Sequence, residues 1–120
     1  MKMPTTPCPV ALTSRVMGGR WKARIVWALM RTEPLRFSEV RRACPPISDR
    51  ILSKELKELE ELGLISRQEY PVVPPKTEYR LTAFGRTLEG VMAAMAAWGT
   101  SHHGRIVEAV ENGRGGDGER

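Results

Sequence analysis

Cysteine is scarce in this chain: Cys8 and Cys44 are the only two, too few and too far apart for a disulfide scaffold or a zinc site. No apolar run approaches the roughly 18–20 residues of a membrane span, and the first residues lack a signal peptide's apolar core. A reduced, cytoplasmic setting with no membrane is therefore expected. His102 and His103 are adjacent, and neighbours on a helix point to different sides. With no carboxylate or thiol at ligand spacing, no metal site is expected. The chain also lacks a nucleophile–base pair, a Gly-rich phosphate loop and paired carboxylates, so it reads as neither an enzyme nor a cofactor carrier. Trp21, Trp27, Trp98, Met92 and Met95 read as core or dimer contacts rather than as a cofactor box.

What the chain does have is positive charge, unevenly placed. Its 120 residues fit one domain with a modest core, carrying a net charge of +5 and a pI near 9.7. Before residue 36 stand Lys2, Arg15, Arg20, Lys22, Arg24 and Arg31 against the single acid Glu33, whereas everything after Lys57 is net acidic. Such a balance admits a polyanionic partner without naming one.

Residues 48–62 are the most informative stretch. Ser48 is a good N-cap, Pro45 and Pro46 precede it, and Gly63 is placed to end the helix. Leu52, Leu56 and Leu59 recur at helical spacing, flanked by Ile51 and Leu62. Arg50, Lys54, Lys57 and Glu61 fall opposite that stripe, with Ser53 beside them. The charges run against the helix dipole after Asp49: bases come early, while Glu58, Glu60 and Glu61 come late. Arg50 and Lys54 are in addition a like-charge i,i+4 pair. Isolated stability does not favour that order; insertion of the amino end into a polyanion's groove does.

Around this helix the chain punctuates itself. Residues 1–7 read as a loose leader. Pro9, with Cys8 at the cap, starts a short helix that Gly18-Gly19 stops near Met17. A second helix opens at Trp21, buries Ile25, Val26, Leu29 and Met30, and ends before Pro34. Phe37–Ala43 reads as a third, with Ser38 as its cap and Cys44-Pro45-Pro46 as its stop. A short helix, a tight turn and a longer helix basic at its start make a helix-turn-helix pattern.

After Gly63 the period changes to that of strands, over residues 64–70 and 78–82. Residues 71–77 between them are too long and proline-rich for a tight hairpin, and predict a stiff loop with Lys76 near its tip. A hairpin directly after a helix-turn-helix is a wing. Thr82 then caps a long last helix whose apolar stripe is Phe84, Leu88, Val91, Met92, Met95 and Trp98, continued by Ile106 and Val110 past a break near residues 99–104. The rest of so small a domain cannot cover that stripe; a second copy of the chain can. From Asn112 onward, glycine-rich composition predicts disorder. The expected organisation is a leader at 1–7, a DNA-binding and dimerisation domain at 8–111, and a tail at 112–120, mainly α with a small two-stranded β wing.

These pieces, in order, resemble the HxlR-type winged helix-turn-helix transcriptional regulators of bacteria and archaea. The resemblance runs from Cys8 to about Trp98. It is carried by Cys8-Pro9-Val10, Gly18-Gly19-Arg20-Trp21, Arg36-Phe37-Ser38-Glu39-Val40 with Arg42, Ile47-Ser48 with Leu52, Leu56 and Leu59-Glu60, and Gly63-Leu64, Tyr70, Pro74-Pro75, Glu78-Tyr79 and Leu81-Thr82. Pro46 stands where that family commonly has glycine, and Cys44 where it has an aliphatic residue. The resemblance implies a homodimer, paired through the first and last helices, on a double-stranded DNA operator. It also implies a thiol response at Cys8, since the equivalent cysteine senses oxidants or electrophiles in several members.

The resulting DNA-reading set is Arg50, Ser53, Lys54 and Lys57, with Ser48 and Asp49 at the groove-facing end of the helix. Ser38, Arg42, Lys76 and Thr77 are candidate phosphate contacts, while Arg67 and Arg80 belong on the wing's solvent face. Cys8 sits at a helix start, which lowers a thiol's pKa, and Cys44 reads as packing at the elbow. A small-molecule or oxidant effector is compatible with this reading. Two other functions remain open: a winged-helix protein-interaction module without DNA binding, and a thiol switch whose main work is redox chemistry.

Overall fold

The computed structural model describes residues 8–117, and the side chains of residues 8–113; the expected leader lies outside the described residues. The chain divides into two units, one ending at Leu88 and one beginning at Glu89.

In the first unit, Cys8 is extended and Pro9 opens helix α1 (Pro9–Met17), where its missing N–H is no loss. Helix α2 (Lys22–Arg31) buries Ile25, Val26 and Leu29 completely. Strand β1 (Leu35–Arg36) leads straight into helix α3 (Phe37–Ala43), and α4 (Asp49–Glu61) follows after the turn at Cys44 to Ser48. The α4 stripe behaves as its spacing predicts: Leu52, Leu56 and Leu59 are buried, and Ser48 Oγ accepts the Ile51 N–H at 3.2 Å. Gly63 adopts φ +80, the left-handed conformation that glycine takes without strain, and lets the Leu64 N–H return to the Leu59 carbonyl.

The wing is β2 (Ile65–Tyr70) against β3 (Lys76–Leu81), antiparallel, in register from Ile65↔Leu81 to Tyr70↔Lys76. The sheet has three strands rather than two, in the order β1-β3-β2, because Leu35 and Arg36 pair with Tyr79 and Glu78. That pairing also corrects the start of α3. Arg36, held extended by the sheet, takes the cap position, its N–H donating to Glu39 Oε1 at 2.8 Å, and Ser38 lies inside the first turn. Lys76 is likewise not at the wing tip: the connecting loop is only Pro71–Pro75, and Lys76 begins β3 opposite Tyr70. The core of this unit gathers Trp21, Ile25, Val26, Leu29, Val40, Cys44, Ile47, the α4 leucines, Leu64, Ile65, Tyr79 and Leu81.

Thr82 caps as expected, accepting the Gly85 N–H at 2.9 Å, but helix α5 (Ala83–Arg86) is a single turn. The Thr87 and Leu88 N–H groups bond three residues back, and the Thr87 hydroxyl donates to the Phe84 carbonyl, so the chain tightens there instead of continuing one long helix.

The second unit is helix α6 (Glu89–Ser101) and helix α7 (His103–Asp117), separated at His102 within the predicted 99–104 window. Helix α7 runs to Asp117, into the glycine-rich stretch after Asn112 whose composition predicts disorder. Val91, Met95, Trp98, Val107 and Val110 are exposed, while Met92 is buried. No helix among the described residues is long and apolar enough to cross a membrane.

Candidate nucleic-acid interface

Burying the leucines of α4 turns its other face outward. Arg50, Ser53, Lys54 and Lys57 are all exposed, on successive turns of one surface. Ser48 is committed to the helix cap, and its exposed position puts it at the leading end of that surface. Lys54 has an intrahelical partner, Glu58 Oε2 at 3.1 Å, but its side chain remains 58% exposed. Arg50 and Lys57 have no ion-pair partner among the described residues.

Asp49 is the one predicted site residue whose charge opposes a polyanion. The structure meets it with Arg41, whose Nη1 lies 2.6 Å from Asp49 Oδ1 across the α3–α4 junction. Arg41 and not Arg42 faces the helix start; Arg42 is exposed on α3 and Ser38 is half-buried in its first turn. The turn itself is tied to α2, where Arg24 Nη2 donates to the Pro45 carbonyl at 3.0 Å.

Between α4 and the wing runs a cleft whose lining includes Ser53, Lys57, Arg67, Thr77 and Tyr79, with one carboxylate, Glu60, among them. Two predicted groups, Ser53 and Lys57 on the helix and Thr77 on β3, therefore share one surface. Arg67, expected on the wing's solvent face, is part of that cleft as well. Its guanidinium pairs with Glu69, and the neighbouring Tyr79 hydroxyl together with Glu69 favours its charged form. The signal for this was the strand alternation: Arg67 stands directly opposite Tyr79 in the ladder, and directly paired residues share a face. Lys76 is separate from the cleft. Its ammonium stacks 4.6 Å over the Tyr70 ring and lies 3.6 Å from Glu78, so much of its charge is spent within the wing. Arg80 is exposed, as expected, 3.6 Å from Glu78. The loop above, Pro71–Pro75, carries no charge, and Val73 at its centre is 99% exposed.

The two thiols differ sharply. Cys8 is exposed, and although its sulfur makes no capping bond of full geometry, the backbone N–H groups of Ala11 and then Val10 hold its pKa below the ordinary thiol value. Cys44 is completely buried at the elbow between α3 and α4, and burial pushes its thiol up, with Arg24 opposing in part.

Comparison with known proteins gives the same architecture. A family model described as HxlR-like helix-turn-helix matches residues 16–107. The HTH-type transcriptional regulator YybR of Bacillus subtilis (strain 168) is 43% identical over 106 residues, covering 88% of this chain and 84% of that protein. Among solved structures, the redox regulator HypR in its reduced form is 43% identical, with a TM-score of 0.78 over 85% of this chain and 99% of that one. HypR in its oxidised form is 47% identical, with a TM-score of 0.74 over 78% and 96% of the two chains.

Proposed function

The chain belongs to the HxlR-like helix-turn-helix family of transcriptional regulators, and on that premise we propose that it binds its operator as a homodimer, each protomer placing α4 in the major groove. The observation that carries this reading is the division of α4 into a leucine face wholly buried and an outward face of Arg50, Ser53, Lys54 and Lys57. Arg50 reads base edges from the leading turn, while Lys54 and Lys57 meet phosphate or guanine, and Ser48 with Asp49 stands nearest the groove floor. Ser38, Arg42, Lys76 and Thr77 position the protein on the backbone, and Arg67 joins them from the cleft. The two α4 helices then enter successive grooves about 34 Å apart on a pseudo-palindromic site, with the wings on the flanking backbone.

Homodimerisation is supported by apolar side chains that a single chain leaves uncovered, Val10 and Leu12 on α1 and Val91, Met95 and Trp98 on α6. The working unit is residues 8–111, acting in the cytoplasm by binding rather than catalysis. The test is selection of bound sequences from random duplex DNA, followed by titration with salt. A regulator that neutralises phosphates loses affinity steeply as salt rises, with a slope of about −0.9 per phosphate contact. A protein-interaction module yields no enriched sequence and no such slope.

A thiol response is the second reading, favoured by the exposure and lowered pKa of Cys8 and by the redox regulator among the chain's relatives. Oxidation of Cys8 by an oxidant, or its alkylation by an electrophile, alters operator affinity. Diamide treatment that leaves both the non-reducing gel pattern and DNA affinity unchanged refutes a disulfide form of this response.

A further inference from the structure

The helix that would enter DNA is itself acidic. Between Asp49 and Glu61, α4 carries Asp49, Glu55, Glu58, Glu60 and Glu61 against only Arg50, Lys54 and Lys57. Two of those acids, Glu55 and Glu58, are met by a base from another helix. The Lys22 ammonium lies 2.7 Å from Glu55 Oε1 and 2.6 Å from Glu58 Oε1, with its side chain only 14% exposed.

The placement of Lys22 is costly in local terms. It is the first residue of α2, whose opening turn holds no acid, so its charge opposes the helix dipole. Burial alone would lower its pKa, yet the hydrogen bonds and charges of Glu55 and Glu58 outweigh burial and hold the ammonium above its ordinary value. Glu58 responds in kind, held below the ordinary carboxylate range by Lys22 and then by Lys54. A base so placed is explained by what it grips.

Glu55 and Glu58 stand three residues apart, on neighbouring turns at the flank between the buried leucines and the outward face. Leucine packing alone leaves a helix some freedom to roll about its axis, because apolar contacts are non-directional. One ammonium bonded to two successive turns restricts that roll, and the roll sets which side chains face outward. We propose that Lys22 is a positioning residue for DNA recognition, fixing the rotation of α4 through Glu55 and Glu58 without itself touching DNA. This inference rests on α4 being the DNA-reading helix.

The test uses the full chain and a duplex operator recovered by selection, with folding of each variant checked by circular dichroism. Lys22→Met should weaken operator binding about tenfold, within the usual 5–150-fold range for coupled sites, and leave the salt slope as in the unaltered protein. Lys22→Arg, which keeps a cation within reach of both carboxylates, should restore most of the affinity. Since Lys22→Met strands two carboxylates and risks unfolding, Lys22→Met/Glu55→Gln/Glu58→Gln provides a second variant with no stranded charge. It is one unit more positive than the unaltered protein, so a purely electrostatic role predicts binding at least as tight as before; loss of positioning predicts weaker binding. A folded Lys22→Met that binds normally, a salt slope that falls by about one per protomer, or a triple variant that binds as tightly as the parent overturns the proposal. Arg50→Ala, run alongside, separates the two claims: if it too binds normally, the reading of α4 has failed and not the role of Lys22 alone.

Discussion

Replacing Arg50 with alanine is the most informative single change on the outward face of α4. Arg50 lies on the first turn of that helix, exposed, with no ion-pair partner among the described residues. Its removal therefore leaves no stranded carboxylate, and the fold should be unaffected to within about 0.5 kcal/mol, as for surface substitutions generally. Loss of a bidentate base contact costs about 1–3 kcal/mol and relaxes specificity at the base pair it reads. That corresponds to roughly 5- to 150-fold in affinity for each helix engaged. Lys54→Ala provides the internal contrast. Its ammonium already shares Glu58 at 3.1 Å, so less of its charge is available to phosphate, and its loss should cost less affinity and reduce the salt slope rather than the specificity. Fluorescence anisotropy against the selected operator and against each single-base variant measures both quantities. If Arg50→Ala binds every site as the parent does, or loses affinity equally on all sequences, Arg50 does not read bases.

Other consequences are equally direct. Cys8 should alkylate with iodoacetamide with a half-maximal rate at a pH below that of an ordinary thiol, because Ala11 and Val10 favour its thiolate, whereas buried Cys44 should stay unmodified until denaturant is added; mass spectrometry across a pH series decides this. Gly85→Ala should destabilise the fold by about 1–3 kcal/mol or more, since an added Cβ would sit 2.1 Å from the Leu64 carbonyl oxygen where backbone must move, and thermal melting without a shift would contradict it. Met95→Asp/Trp98→Asp should convert a dimer to monomers in sedimentation equilibrium and weaken operator binding, as both side chains are more than half exposed; an unchanged dimer would place the contact elsewhere.

Much of the helix-turn-helix was legible because its signals are local. The Leu52, Leu56 and Leu59 spacing, Ser48 before it and Gly63 after it are read within one segment, and each behaves in the structure as its chemistry dictates. What escaped was non-local. Leu35-Arg36 is too short to show a strand period, and its role appears only when Tyr79 and Glu78 are beside it. Nothing in Lys76-Thr77 distinguishes a loop end from a strand start, whereas the Tyr70↔Lys76 register does. The long last helix is interrupted at Thr87 and Leu88, whose backbone N–H groups bond three residues back, a change that no residue of the apolar stripe announces. At the candidate site, the outward set on α4 followed from a helical wheel. The ion pairs that frame it, Arg41 with Asp49 and Lys22 with Glu55 and Glu58, join different helices and have no sequence signature.

The central claim, that the outward face of α4 lies in the major groove, is tested most directly by cross-linking from Ser53. In a Cys8→Ser background, Ser53→Cys carries a thiol-linked photo-crosslinker at the middle of that face, while Cys44 is too buried to compete. Bound to the selected operator and irradiated, it should attach to bases at two positions about one helical turn apart, one for each protomer. Val107→Cys on α7, treated in the same way, should give none. Cross-links confined to the sugar–phosphate backbone, or obtained from position 107 and not from 53, would show that another surface holds the DNA.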